Sequence, residues 1–240
     1  MPGVDVTIAL AVAVFAGAAV QGAIGLGLGL LAAPVAALLA PELVPGTLVW
    51  LSMLLPVFTL AREWAHVDWW GLRWAFLGRV PATVLGAWIV SVSSPRALSV
   101  AVGLVILVAV ALTVRTIRLP MRRGVLVAAG AVSGVAGTAT SIGGPPLALV
   151  YQGELGPRVR STLAMYFLLG AGFSLLALTA VGELGRTETV AALWLTPPMV
   201  AGFLAASALR AFVDGGRLRP AVMAVCTVSA VTLIVRSLAG

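Results

Sequence analysis

Apolar residues run unbroken by charge through positions 6–41, 43–61, 97–114, 124–153, 161–182 and 189–209. Several of these runs match or exceed the roughly 20 residues that cross a hydrocarbon core of about 30 Å. As a single helix the first would be about 54 Å long, too long for one crossing, so it must fold back within the glycines of 22–29. The return arm, 30–41, then reaches only about 18 Å, and the corresponding arm at 145–153 is shorter still. Both therefore read as re-entrant helical hairpins. Three longer apolar segments follow each hairpin: 44–61, 70–92 and 96–115 in the first half, then 159–182, 190–212 and 217–236 in the second. The pattern predicts an all-α, polytopic membrane protein whose 240 residues form one transmembrane domain.

The two halves are copies. With an offset of 112, Val20, Gly22, Gly25, Pro34, Ala36, Glu42, Leu43, Pro45, Leu51 and Met53 fall on identical residues, 10 matches in 34 positions. Even in so apolar an alphabet chance gives about a tenth of positions, so duplication is the better account. It divides the chain into repeats 1–117 and 118–240. A hairpin adds no net crossing and three spans follow it, so each half crosses an odd number of times and the halves are expected to be inverted relative to each other.

Composition supports the membrane assignment: 61% of residues are hydrophobic, 10% are charged, and mean hydropathy is +1.12. The net charge of +7 comes from 15 arginines and no lysine. In a soluble protein such a balance would suggest nucleic acid, but here the arginines sit at segment ends. Placing the central loop with Arg115, Arg118, Arg122 and Arg123 in the cytoplasm puts Arg62, Arg73, Arg158, Arg160, Arg210, Arg217 and Arg219 on the same side. Arg96, Arg186 and Arg236 fall outside, as do both termini. The N-terminal segment has no basic leader and belongs to the repeat, so it is expected to be retained. A lone cysteine, Cys226, excludes an intrachain disulfide. The lone His66, in a loop beside Asp68, offers no metal cluster and no catalytic dyad, so neither an enzyme nor a metal or other cofactor is expected.

In lipid a non-helical break survives only where it lines a protein-walled or watery cavity. The first break holds Gly22, Gly25, Gly27 and Gly29; the second runs from Gly134 through Gly137, Thr138, Thr140, Ser141, Gly143 and Gly144 to Pro145 and Pro146. Helices starting after such breaks aim backbone N–H groups and a positive dipole end into the cavity, and Pro145 suits a first turn. Thr138, Thr140 and Ser141 add hydroxyls and Gln21 an amide. Neutral donors of this kind suit a small oxyanion that must be released again. Simple close packing of helices is the competing account for any single glycine.

The pieces Gln21-Gly22-x-x-Gly25-x-Gly27 with Pro34, Gly134-x-x-Gly137, Gly143-Gly144-Pro145-Pro146 and Arg160-Ser161-Thr162-Leu163 resemble the TauE/SafE sulfite exporter family, also called the toluene sulfonate uptake permease family. The resemblance covers nearly the whole chain, including its duplication. It implies transport of small sulfur-containing or organic anions across the bacterial inner membrane. Thr138–Ser141 stand where the family more often has glycine, and Leu26 where an aromatic is frequent.

The candidate substrate site is therefore Gln21, Gly22, Gly25, Gly27, Gly137, Thr138, Thr140, Ser141, Gly143, Gly144, Pro145 and Arg160. Arg79, inside its segment, either attracts the anion or snorkels to the headgroups; its repeat mate is the uncharged Leu195. Arg160 lines a vestibule, pairs with Glu154, or serves as a plain positive-inside anchor. Pro81 and Pro197 are candidate hinges. The expected partners are a small anionic substrate and membrane lipid, with proton or sodium coupling and no nucleic acid. No intramembrane carboxylate relay is visible.

Overall fold

The computed structural model describes residues 3–114, 119–213 and 218–239 and, within these, not the side chains of 113–114, 207–213, 218–222 and 239. Arg115, Arg118 and Arg217, and the side chains of Arg210 and Arg219, used above to orient the chain, lie outside the described residues. The described residues form ten α-helices and no strand.

Five helices precede the central loop and five follow it. They are α1 (Val4–Ile24), α2 (Leu28–Leu39), α3 (Gly46–Glu63), α4 (Trp69–Val92) and α5 (Pro95–Val114), then α6 (Arg123–Thr140), α7 (Gly144–Val150), α8 (Gly156–Ala180), α9 (Arg186–Val213) and α10 (Leu218–Ala239). Each half is thus a helical hairpin followed by three helices. By length and composition α1, α3, α4, α5, α8 and α9 could each cross a membrane. The first arm of hairpin one is therefore a full-length helix, while its return arm α2 has 12 residues and α7 only 7.

The most extensive helix contacts come in pairs related by exchange of the halves. α4 lies on α6 and α1 lies on α9, while α3 packs on its own mate α8 and α5 on its mate α10. Small residues allow the closest approaches: a Cβ on Gly130 would lie 1.9 Å from the Ala75 carbonyl oxygen, and one on Gly202 2.1 Å from that of Phe15. Such crossings are how membrane helices gain packing energy without a hydrophobic force between them. The mates run antiparallel. Glu63 at the end of α3 pairs with Arg160 at the start of α8, whereas Val49 near the start of α3 clusters with Leu175 and Leu178 near the end of α8. Likewise Arg96 at the start of α5 donates to the Leu238 carbonyl at the end of α10 (2.8 Å), and Gly103 meets Ala230 and Ile234.

The outer surface carries exposed apolar side chains, among them Leu77, Val84, Trp88, Leu104, Leu176, Leu193 and Trp194. Water would not tolerate such a surface over a whole molecule; hydrocarbon does. Five of the seven tryptophans are exposed, and Trp50 and Trp74 are half-buried.

Candidate functional site

The two hairpin tips meet each other. α1 ends where Gly25 turns left-handed at φ 92°, its N–H donating to the Gln21 carbonyl at 2.7 Å. In the second half the left-handed residue is Ser141 at φ 62°, its N–H donating to the Gly137 carbonyl at 3.1 Å. The sequence register places Gly25 on Gly137, yet the turn comes four residues later in the second half. α6 is therefore about one turn longer past the repeat register, and α7 is correspondingly short. Gly22 in the first half and Gly134, Gly137, Thr138 and Thr140 in the second, read above as parts of the breaks, are helical. Gly134 packs against Arg79 and Ala82, as its mate Gly22 packs against Phe203 and Ala206.

Each tip is held by the same repeat position. Gln21 Oε1 accepts the Leu28 N–H at 3.1 Å, capping α2. Its mate Ser133 donates its hydroxyl to the Gly143 carbonyl. The α2 ladder begins with Leu31 N–H to Gly27 O at 3.1 Å, so the N–H groups of Gly29 and Leu30 precede it. At the junction of the tips a Cβ on Gly29 would lie 2.3 Å from the Ser141 carbonyl oxygen.

A small cavity opens between the tips. The tips supply one side of its wall, and Val49 and Ser52 of α3, Arg79 of α4, and Phe167, Ala171 and Ser174 of α8 complete it. Arg79 is only 3% exposed. Its Nη1 reaches the Ser133 hydroxyl at a long 3.5 Å, its Cζ lies 4.2 Å from the Tyr166 ring centroid, and its buried Nε has no hydrogen-bond partner among the described residues. Among the described residues no carboxylate comes within ion-pair distance of it. It does not snorkel. Gly170 makes the space for it, since a Cβ there would lie 2.1 Å from Arg79 Cζ.

Residues 9–233 match the family described as sulfite exporter TauE/SafE. The chain belongs to that family. No curated protein and no solved structure is matched. Membership makes this a multi-pass membrane protein of a sulfur-anion transporter family.

Of the residues that carry the TauE/SafE resemblance, Gln21, Gly27, Gly137, Gly143, Gly144 and Pro145 line the cavity, joined by Ser141 and Arg79. Others lie behind the wall. Gly22 packs on α9, and Gly25 backs onto Arg160 and Leu163. Thr138 shares a hydrogen bond with Ser174 at 2.8 Å, and Thr140 donates to the Ala136 carbonyl at 2.7 Å. Arg160 pairs with Glu63 rather than Glu154, with its Nε 3.0 and 3.1 Å from the two carboxylate oxygens. Pro81 and Pro197 stand within unbroken α4 and α9 on exposed faces.

Ser52, Ser133, Tyr166, Phe167 and Ser174 were not singled out from the sequence. Ser133 carried a signal, as the polar mate of Gln21. The others are single polar or aromatic residues in apolar helices, where facing cannot be read without the neighbouring helix.

A second polar cluster ties the halves together beside the Glu63–Arg160 pair. Buried Asp68 caps α4 through the Gly71 N–H (3.2 Å), accepts from the Tyr151 hydroxyl (2.8 Å), and lies 3.4 Å from Arg158. The Thr162 hydroxyl accepts the Asp68 N–H at 3.0 Å, and Arg158 also reaches Glu154 at 2.9 Å. Burial, and then the adjoining Asp68 carboxylate, push the Tyr151 phenol well above its ordinary range, so it stays a donor. His66 and Gln152 are exposed. Among the described residues no cluster of His, Cys, Asp or Glu could hold a metal ion.

Proposed function

We propose that this protein is a secondary transporter that carries a small oxyanion, sulfite or an organosulfonate, across the bacterial inner membrane, with the cavity between the hairpin tips as its site. One observation carries the reading: Arg79 is buried beside the tips with no carboxylate partner among the described residues. Leaving a cation so buried costs several kcal/mol after relaxation. The contact with Tyr166 returns about 2 kcal/mol, and one long hydrogen bond to a neutral hydroxyl adds about 1 kcal/mol. The balance favours an anion as the missing partner. An intramembrane arginine that faces a cavity fits that role.

The rest of the wall suits a ligand that must also leave. The Gly29 and Leu30 N–H groups, the Gln21 amide and the Ser52 hydroxyl are neutral donors, while the equally neutral Ser141 and Ser174 hydroxyls donate to the Pro45 and Gly170 carbonyls. The glycines at 27, 143 and 144 keep the backbone close to the centre. The antiparallel course of α3 against α8 and α5 against α10 supports an inverted repeat, 1–117 against 118–240, within one transmembrane domain. Alternating access would then swing one repeat against the other. Pro81 and Pro197 would be the hinges, because each removes one backbone bond from its helix. The Glu63–Arg160 and Asp68–Tyr151–Arg158 contacts join the halves on one face and would open with it.

The test is transport by the purified protein in liposomes. Radiolabelled sulfite or a sulfonate should show saturable uptake and counterflow. Arg79→Ala should lower uptake at least tenfold while elution and melting in detergent stay near those of the parent. Arg79→Lys should retain part of the activity. Uptake by Arg79→Ala equal to the parent would reject the site, and flux linear in concentration without counterflow would reject a carrier.

A further inference from the structure

We infer that the cavity accepts an anion of single charge, so that a substrate able to exist as a mono- or dianion near neutral pH is taken in its protonated form; this rests on the cavity being the transport site. The argument is a count of charges. Among the described residues Arg79 is the one charged residue in the wall. Among the described residues, the elements packed against it bring no second charge to the wall. α6 presents Ser133 and Gly137, and α8 presents Gly170 and the Tyr166 ring, whose hydroxyl points to the Gly130 carbonyl at 3.5 Å. The hairpin tips present backbone, Gln21 and Ser141.

Neighbouring arginines are engaged elsewhere. Arg160 is held by Glu63 and Arg158 by Asp68 and Glu154, while Arg73 and Arg123 stack on Trp74. A monoanion beside Arg79 leaves the buried site neutral. A dianion leaves one negative charge without a partner in a medium of low dielectric, and neutral hydroxyls and amides do not cancel it.

The wall also suits the extra proton. A protonated oxyanion needs a hydrogen-bond acceptor as well as donors. The Ser52 hydroxyl can serve as either, which an ammonium or guanidinium cannot, and Ser174, whose proton goes to the Gly170 carbonyl at 3.0 Å, can still accept. Among the described residues no carboxylate lines the cavity to take that proton away. The proton therefore travels on the substrate, and a titrating side chain in the wall is not required for proton-linked movement.

Calorimetry on the full chain in detergent tests this with three probes: methanesulfonate, fixed as a monoanion; sulfate, fixed as a dianion; and sulfite, which changes charge near neutrality. Between about pH 6 and 8 methanesulfonate should bind with unchanged affinity and sulfate at least tenfold more weakly. The apparent affinity for sulfite should fall about tenfold per pH unit above its own midpoint, following the fraction of competent ligand. Sulfate binding as tightly as methanesulfonate, or sulfite affinity that holds or rises with pH, overturns the charge rule. If that tight sulfate binding is abolished in Arg79→Ala, the cavity survives as the site. Binding of none of the three, or binding untouched by Arg79→Ala, overturns the site and the charge rule with it.

Discussion

The Arg79 guanidinium lies 4.2 Å from the centre of the Tyr166 ring, so a residue of the first repeat rests on an aromatic of the second. The ring face fixes where the cation sits while leaving its hydrogen-bonding edge for a ligand. Tyr166→Phe keeps the face and gives up only a 3.5 Å contact of the hydroxyl with the Gly130 carbonyl. Anion affinity in that variant should stay within about twofold of the parent. Tyr166→Leu removes the face and should weaken binding by about tenfold, in line with a desolvated cation–π contact. Titration of the two variants side by side checks this, and equal losses in both would place the role in the hydroxyl instead.

Gly170 gives a way to disturb the cation without deleting it. Its missing side chain leaves room for the guanidinium, and a Cβ would stand 2.1 Å from both Arg79 Cζ and Arg79 Nε. The obstacle is the far end of a flexible side chain rather than backbone, so Gly170→Ala should fold and melt close to the parent. Displacement of the arginine should still reduce transport at least tenfold. A variant with full transport would show that the observed position of the guanidinium is not the working one.

The Glu63–Arg160 pair is half-shielded, with side chains 15% and 17% exposed, and Arg160 Nε meets both carboxylate oxygens. An exposed pair would contribute at most about 1 kcal/mol. Here each single change, Glu63→Gln or Arg160→Gln, leaves a partly desolvated charge behind and should cost about 1–3 kcal/mol. The double variant should cost less than the two singles together. A thermal-melting cycle in detergent measures this, and strictly additive losses would mean that the two side chains do not stabilise the fold through each other.

Much of this arrangement could be read from the sequence. The uncharged runs and the 112-residue repeat located five segments per half, and the glycine clusters located both hairpins. The exact place of the second turn could not be read. Val132–Gly137 matches Val20–Gly25, but the helix runs on through Thr138 and Thr140, whose hydroxyls are satisfied by Ser174 and by the Ala136 carbonyl. The chain then breaks at Ser141, a residue that tolerates the left-handed region poorly and is held there by its own bond to the Pro45 carbonyl at 3.1 Å. Such a contact, 96 residues away, leaves no local trace. The fate of Arg79 was equally hidden. Its depth in α4 could be counted, but whether it turned to lipid headgroups or to the centre depended on Gly170 and Tyr166 of a helix in the other half.

Two glycines that look alike in sequence should separate fold from site. Gly25 sits at φ 92° and its Cβ would lie 3.3 Å from the Arg160 backbone, so Gly25→Ala places a side chain in a disfavoured backbone region. That change should lower stability by about 1–2 kcal/mol. Gly144 is free of that strain and lines the cavity; its Cβ would meet the edge of Phe167 at 2.9 Å and Leu26 at 3.5 Å. Gly144→Ala should therefore melt near the parent, because the Phe167 ring can shift, while the narrowed cavity binds the larger sulfonates more weakly than sulfite. Melting curves and a size series of sulfonates on both variants provide the measurement. If Gly144→Ala loses stability as Gly25→Ala does and keeps its size preference, the second tip is a packing element and not a wall of the site.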